Sequence, residues 1–169
     1  HGILHSFPTR RSSDLLAACA SAPAPAAPVI TEADTALILG EGWTGTLTYR
    51  DYSPPYDLVT LRTTLEVTRT ASGLDLFLRY PDEPKADGSS ALEISTDGRL
   101  IDGDPIISRS KTGGQLVFVT EGACEDDDRP ATCRHTYSLS ETQFGMAKSV
   151  DFGDAEPAVE RNAYTFTRS

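Results

Sequence analysis

From Trp43 onward the apolar residues recur at every second position, and this period constrains the fold more than any other feature of the chain. Trp43, Gly45, Leu47 and Tyr49 alternate with Thr44, Thr46, Thr48 and Arg50. Leu61, Thr63, Leu65 and Val67 alternate with Arg62, Thr64, Glu66 and Thr68, and Leu74, Leu76, Leu78 and Tyr80 follow on one face. A period of two puts successive side chains on opposite faces, so each run is a strand with one apolar face. Turn residues separate the runs: Ala71-Ser72-Gly73, Thr96-Asp97-Gly98, Asp102-Gly103-Asp104-Pro105 and Lys111-Thr112-Gly113-Gly114. Such short turns join antiparallel neighbours. Leu92 and Ile94, Leu100, Ile106 and Ile107, Leu116 to Val119, His135 to Leu139, Val150 to Phe152 and Asn162 to Arg168 bring the expected total to roughly eight to ten strands. The connections are too short for crossover helices, which argues against a parallel sheet. The expected fold is all-β: an antiparallel up-and-down meander that escapes exposed edges by closing into a barrel.

Ahead of the strands the chain changes character. His5 to Leu15 resembles the translation of a sequencing adapter, so residues 1–18 are read as artefact plus the remnant of a signal peptide and set apart from the fold. Leu16-Ala17-Ala18-Cys19 resembles the lipobox of bacterial lipoproteins, which implies lipidation of Cys19. The Ala/Pro-rich run Ala20 to Pro28 suits an extended tether, so residues 19–42 are read as anchor and tether and 43–169 as one barrel domain. Within the tether, Thr31 can cap a short helix reaching toward Leu39. Multiple acylation would hold the protein on a membrane without a transmembrane helix. No apolar run approaches the length of about 20 residues that a helical span requires.

Gly42-Trp43 opens the first strand, and Arg168 ends the last one in Tyr164-Thr165-Phe166-Thr167-Arg168. This pairing resembles the calycin or lipocalin barrels, in which a Trp and an Arg stack across one end. Glu41 stands two positions before the Trp, where lipocalins carry Gly. The resemblance implies a calycin-like barrel whose interior holds a small ligand or is packed solid.

Chemistry-bearing residues are few. Cys124 and Cys133 bracket an acidic stretch, Glu125 to Asp128, and in an exported protein are expected to form a disulfide across a solvated hairpin loop. A zinc site from those cysteines, His135 and a carboxylate fits no ligand spacing, and the acidic run lacks the spaced carboxylates of a calcium loop. No metal or cofactor is expected. Once residues 1–18 are set apart, His135 is the sole histidine, on one face with Tyr137 and Leu139. Ser108-Arg109-Ser110-Lys111 and Lys111-Thr112-Gly113 match two motifs of penicillin-binding enzymes but share one lysine, so the match is accidental. No nucleophile is marked for His135 and no catalytic residue is assigned; an enzyme is not expected.

The formal charge of −10 opposes nucleic-acid binding. The function expected is that of a lipid-anchored protein of the bacterial envelope, facing the periplasm or exterior, whose cavity takes a small apolar ligand. The candidate ligand contacts are Trp43, Tyr49, Tyr80, Phe118, His135 and Tyr137. The alternative is an envelope assembly protein with a packed core and a protein partner.

Overall fold

The computed structural model describes residues 24–169. Cys19 and the adapter-like run lie outside them. The period-two segments form ten strands: β1 (Gly40–Arg50), β2 (Leu58–Arg69), β3 (Gly73–Arg79), β4 (Gly88–Glu93), β5 (Leu100–Ile101), β6 (Asp104–Thr112), β7 (Gln115–Asp126), β8 (Arg129–Leu139), β9 (Gln143–Asp151) and β10 (Val159–Thr167). Their order in the sheet is β4-β3-β2-β1-β10-β9-β8-β7-β6-β5, with each neighbouring pair antiparallel. This is the expected meander, and it curls into a barrel that is nearly closed.

Closure is complete where β1 meets β10, from Thr44↔Thr167 to Tyr49↔Asn162. Gly45 permits the close approach there, because a Cβ on it would sit 1.8 Å from the Thr165 carbonyl oxygen. Outward threonines lace β1 to both its neighbours, with Thr46 and Thr165 of β10 3.2 Å apart and Thr48 and Thr60 of β2 3.0 Å apart at their hydroxyls. One seam stays unsealed. β5 has only two residues, and β4 meets it through the bridge Ile94↔Ile101 and the bond from Asp102 N–H to Glu93 C=O at 2.8 Å.

Residues expected in the tether pack against one end of the barrel. A five-residue helix, α1 (Glu32–Ala36), is started by a reciprocal capping box between Thr31 and Asp34. Ile30 and Ile38 on either side of it are buried in the main core. Ile30 N–H donates to Gly98 C=O at 2.9 Å, and Arg109 reaches Asp34 Oδ1 at 3.0 Å. A helix of this length is marginal alone, so its place is set by the apolar residues flanking it.

Trp43 and Arg168 meet at this end. The Arg168 guanidinium lies 4.2 Å from the Trp43 ring and donates to three carbonyls: Leu37 at 2.8 Å, Leu39 at 2.7 Å and Glu141 at 2.7 Å. Trp43 Nε1 donates to Ile38 C=O at 3.0 Å. One arginine thereby ties the segment after α1 to the β8–β9 turn and the last strand. Phe144 and Phe166 extend the packing inward from Trp43, with ring centroids 6.2 Å apart at each step.

Cys124 and Cys133 form a disulfide, Cα to Cα 5.7 Å. The segment between them differs from the expected loop. β7 and β8 stay paired out to Asp126↔Arg129, and only Asp127 and Asp128 turn, both at positive φ. Closing this ten-residue loop contributes about 2.7 kcal/mol in the chain-entropy model. Replacing both cysteines by serine is therefore expected to lower the melting temperature by several degrees while leaving the far-ultraviolet circular dichroism unchanged. Two thiols committed to each other cannot ligate zinc.

Candidate functional site

The alternation that builds the strands also decides what lines the interior. Counting from the Trp43 end, β8 turns Leu139, Tyr137, His135 and Cys133 inward, and β9 opposes them with Phe144, Met146, Lys148 and Val150. β10 adds Phe166, Tyr164 and Asn162 across from Phe144, Met146 and Lys148. The Trp43 end is packed, with Trp43, Phe118, Leu139, Phe144 and Phe166 at 2% exposure or less. Higher in the barrel a cavity of about 160 Å³ opens. Leu76, Leu78, Leu92 and Met146 form its apolar wall, and His135, Tyr137, Asn162, Tyr164 and Asp102 bring polar atoms to it. Ser90 and Ala91 of β4, beside the seam, complete the lining with Ala147.

The polar groups are held by named partners. The Tyr164 hydroxyl lies 2.9 Å from that of Tyr80. His135 stacks on Tyr137 with centroids 6.3 Å apart, and its Nδ1 is 3.9 Å from Asp104 Oδ2. Asp102, at φ +52 in the turn after β5, accepts Glu93 N–H on Oδ1 at 2.7 Å. Loss of water pushes the His135 imidazole below its ordinary pKa despite Asp104 and Asp102, with Lys148 acting in the same downward direction. The same cause raises Tyr137 and Tyr164, and both phenols keep their protons through the neutral range. Desolvation also raises Asp102. A neutral imidazole, two phenols, an amide and one carboxylate thus face an apolar wall, which is the composition of a small-molecule site.

Of the six residues expected at the ligand, the structure brings His135 and Tyr137 to the cavity. Tyr80 stands behind Tyr164, while Trp43 and Phe118 are part of the packed layers. Tyr49 is half-buried on β1 and does not line the cavity. Asn162, Tyr164 and Met146 went unrecognised although they share the inward alternation of β9 and β10. Asp102 carried only a turn signal.

A second polar cluster closes the opposite end. Asp126 continues the inward face of β7 and is 4% exposed. It accepts Arg161 Nε at 2.5 Å and Tyr52 O–H at 2.8 Å, and Lys148 Nζ is 3.5 Å away. Desolvation pushes its carboxyl up, but the bonds from Tyr52 and Arg161 and the nearby cations outweigh that and hold it below the usual range. Arg161 is available because the β9–β10 register slips between Glu160 and Asn162. Tyr52 and Tyr56 beside it, each half-exposed, and Leu58 at 61% exposure form an apolar tip on the loop between β1 and β2.

Fold and cavity together define a ten-stranded antiparallel meander barrel with a pocket of mixed polarity among its described residues. The crystal structure of Rv2717c from M. tuberculosis is similar: TM-score 0.50 at 12% sequence identity, over 83% of this chain and 99% of that one. At that identity the likeness concerns the fold. No protein-family model matches the sequence, and no curated protein matches it.

Proposed function

We propose that the protein is an extracytoplasmic small-molecule-binding barrel, tethered to the envelope membrane through Cys19, and that binding rather than catalysis is its task. The observation that carries the binding reading is the cavity itself: an apolar wall facing convergent polar groups inside a barrel whose Trp43 end is packed. Its volume is that of an apolar cavity able to admit a benzene-sized molecule, so the ligand has roughly six to ten non-hydrogen atoms. Long acyl chains and large ring systems are too big for it. The tether rests on Leu16-Ala17-Ala18-Cys19 and the Ala/Pro-rich run after it, and the disulfide suits an oxidising compartment.

Ser90 faces the cavity from β4, so Ser90→Trp should fill it without disturbing the packed layers. In a thermal-shift screen of fragments of that size, hits on the wild type are expected to vanish in this variant. Hits that survive it would place binding elsewhere. For the tether, Cys19→Ala in the native gene should move the protein from the detergent phase to the aqueous phase.

A second reading has its own observation. Tyr52, Tyr56 and Leu58 project an apolar tip beside a groove of about 420 Å³ lined by Arg50, Pro157 and Arg161, which suits a protein partner in the envelope.

A further inference from the structure

Resting on the pocket reading above, the geometry points to a protonated amine as the polar group of the ligand. Its apolar body would lie on Leu76, Leu78, Leu92 and Met146, and its ammonium group would meet the Asp102 carboxylate on the side of Tyr137.

Charge decides among the alternatives. Among the residues lining the cavity, Asp102 alone carries a formal charge at neutral pH. Its Oδ1 is occupied by Glu93 N–H, and Oδ2 has no protein partner among the described residues. A second carboxylate, Asp104, stands 3.9 Å from the His135 ring. The nearest cation on the interior face, Lys148, is drawn to Asp126 at 3.5 Å. An anionic ligand would therefore meet Asp102 with a second carboxylate close behind His135, whereas a neutral one would leave the solvent-exposed Asp102 carboxylate without a charge partner. An ammonium group supplies the missing partner and gains from the aromatic rings around it. That Asp102 is held above the ordinary carboxylate range agrees with this, because an unpaired carboxylate losing water is raised and a paired one is lowered.

The pH dependence follows from the groups that face Asp102: Glu93 from β4, Asp104 from β6 and His135 from β8. Acidification protonates Asp102 and adds positive charge to His135. Both changes weaken amine binding and leave a neutral ligand unaffected.

The test is calorimetry on the full chain, disulfide intact, with benzylamine, ethylbenzene and benzoate, which are of similar size and differ in charge. Benzylamine should bind roughly ten-fold or more tighter than ethylbenzene, and benzoate more weakly than either. Asp102→Asn is a mild probe, since asparagine tolerates the positive φ and keeps an acceptor for Glu93 N–H. It should erase the preference for benzylamine while ethylbenzene binding persists. Equal or tighter binding of ethylbenzene or benzoate would overturn the amine assignment and leave the pocket standing, as would a preference that survives Asp102→Asn. Failure of all three probes to bind would overturn the pocket reading itself.

Discussion

Trp43→Ala is expected to lower the free energy of unfolding by about 3–5 kcal/mol, as deletions of large buried aromatics do. The indole fills the closed end of the barrel at 1% exposure and contacts Phe144 edge-on. Its loss leaves a cavity beneath α1 and frees the Ile38 carbonyl of its donor. A domain of this size has about 5–15 kcal/mol in total, so the variant should unfold at much lower urea. Arg168→Ala should follow in direction, because three carbonyls lose a charge-assisted donor together. Arg168→Lys should restore little of it, since an ammonium has neither the planar fork nor the stacking face of a guanidinium. Equilibrium urea unfolding of the three variants reads all of this. Full stability in Trp43→Ala would show that the Trp–Arg junction does not hold the barrel end.

The second large effect is expected at the other end. Asp126→Ala removes the one carboxylate shared by buried Arg161 and by Lys148, and stranding buried charge costs roughly 3–5 kcal/mol. The double variant Asp126→Ala with Arg161→Ala should lose less than the sum of the two single losses, which is the signature of a coupled pair. The pH dependence has a definite sign. The Asp126 carboxyl is held below its unfolded value, so the stability it confers is present above the unfolded carboxylate pKa. It is lost as pH falls through the lowered folded value. Urea midpoints measured from neutral pH down into that acid range should fall in the wild type more than in the Asp126→Ala variant. Parallel curves would contradict the role given to the network.

These two ends show how far the sequence could be read. Alternation is a local signal, and it identified the strands, the inward faces and the turns at Gly73, Gly98 and Gly113-Gly114. The helix cap at Thr31 was equally legible, because capping is decided within four residues. The Trp43–Arg168 contact was legible only through a resemblance, since nothing local links residues 125 positions apart. What escaped depends on long-range register. Asp126 looks like part of a solvated acidic tip until β7 and β8 are seen to pair beyond the cysteines. Arg161 reaches it only because β10 carries a bulge. Asp102 enters the cavity wall because β5 is two residues long and its turn lies beside the seam. The cavity forms where inward side chains from β3, β4, β8, β9 and β10 leave space between them, a property of five strands at once.

Heteronuclear NMR of the full chain, titrated with benzene-sized fragments, tests whether this space is where the protein does its work. Saturable amide shifts confined to Leu76, Leu78, Leu92, His135, Tyr137, Asn162 and Tyr164 are the predicted result. Shifts at Tyr52, Tyr56 and Leu58 with none around His135 would contradict it and move the function to the outer tip.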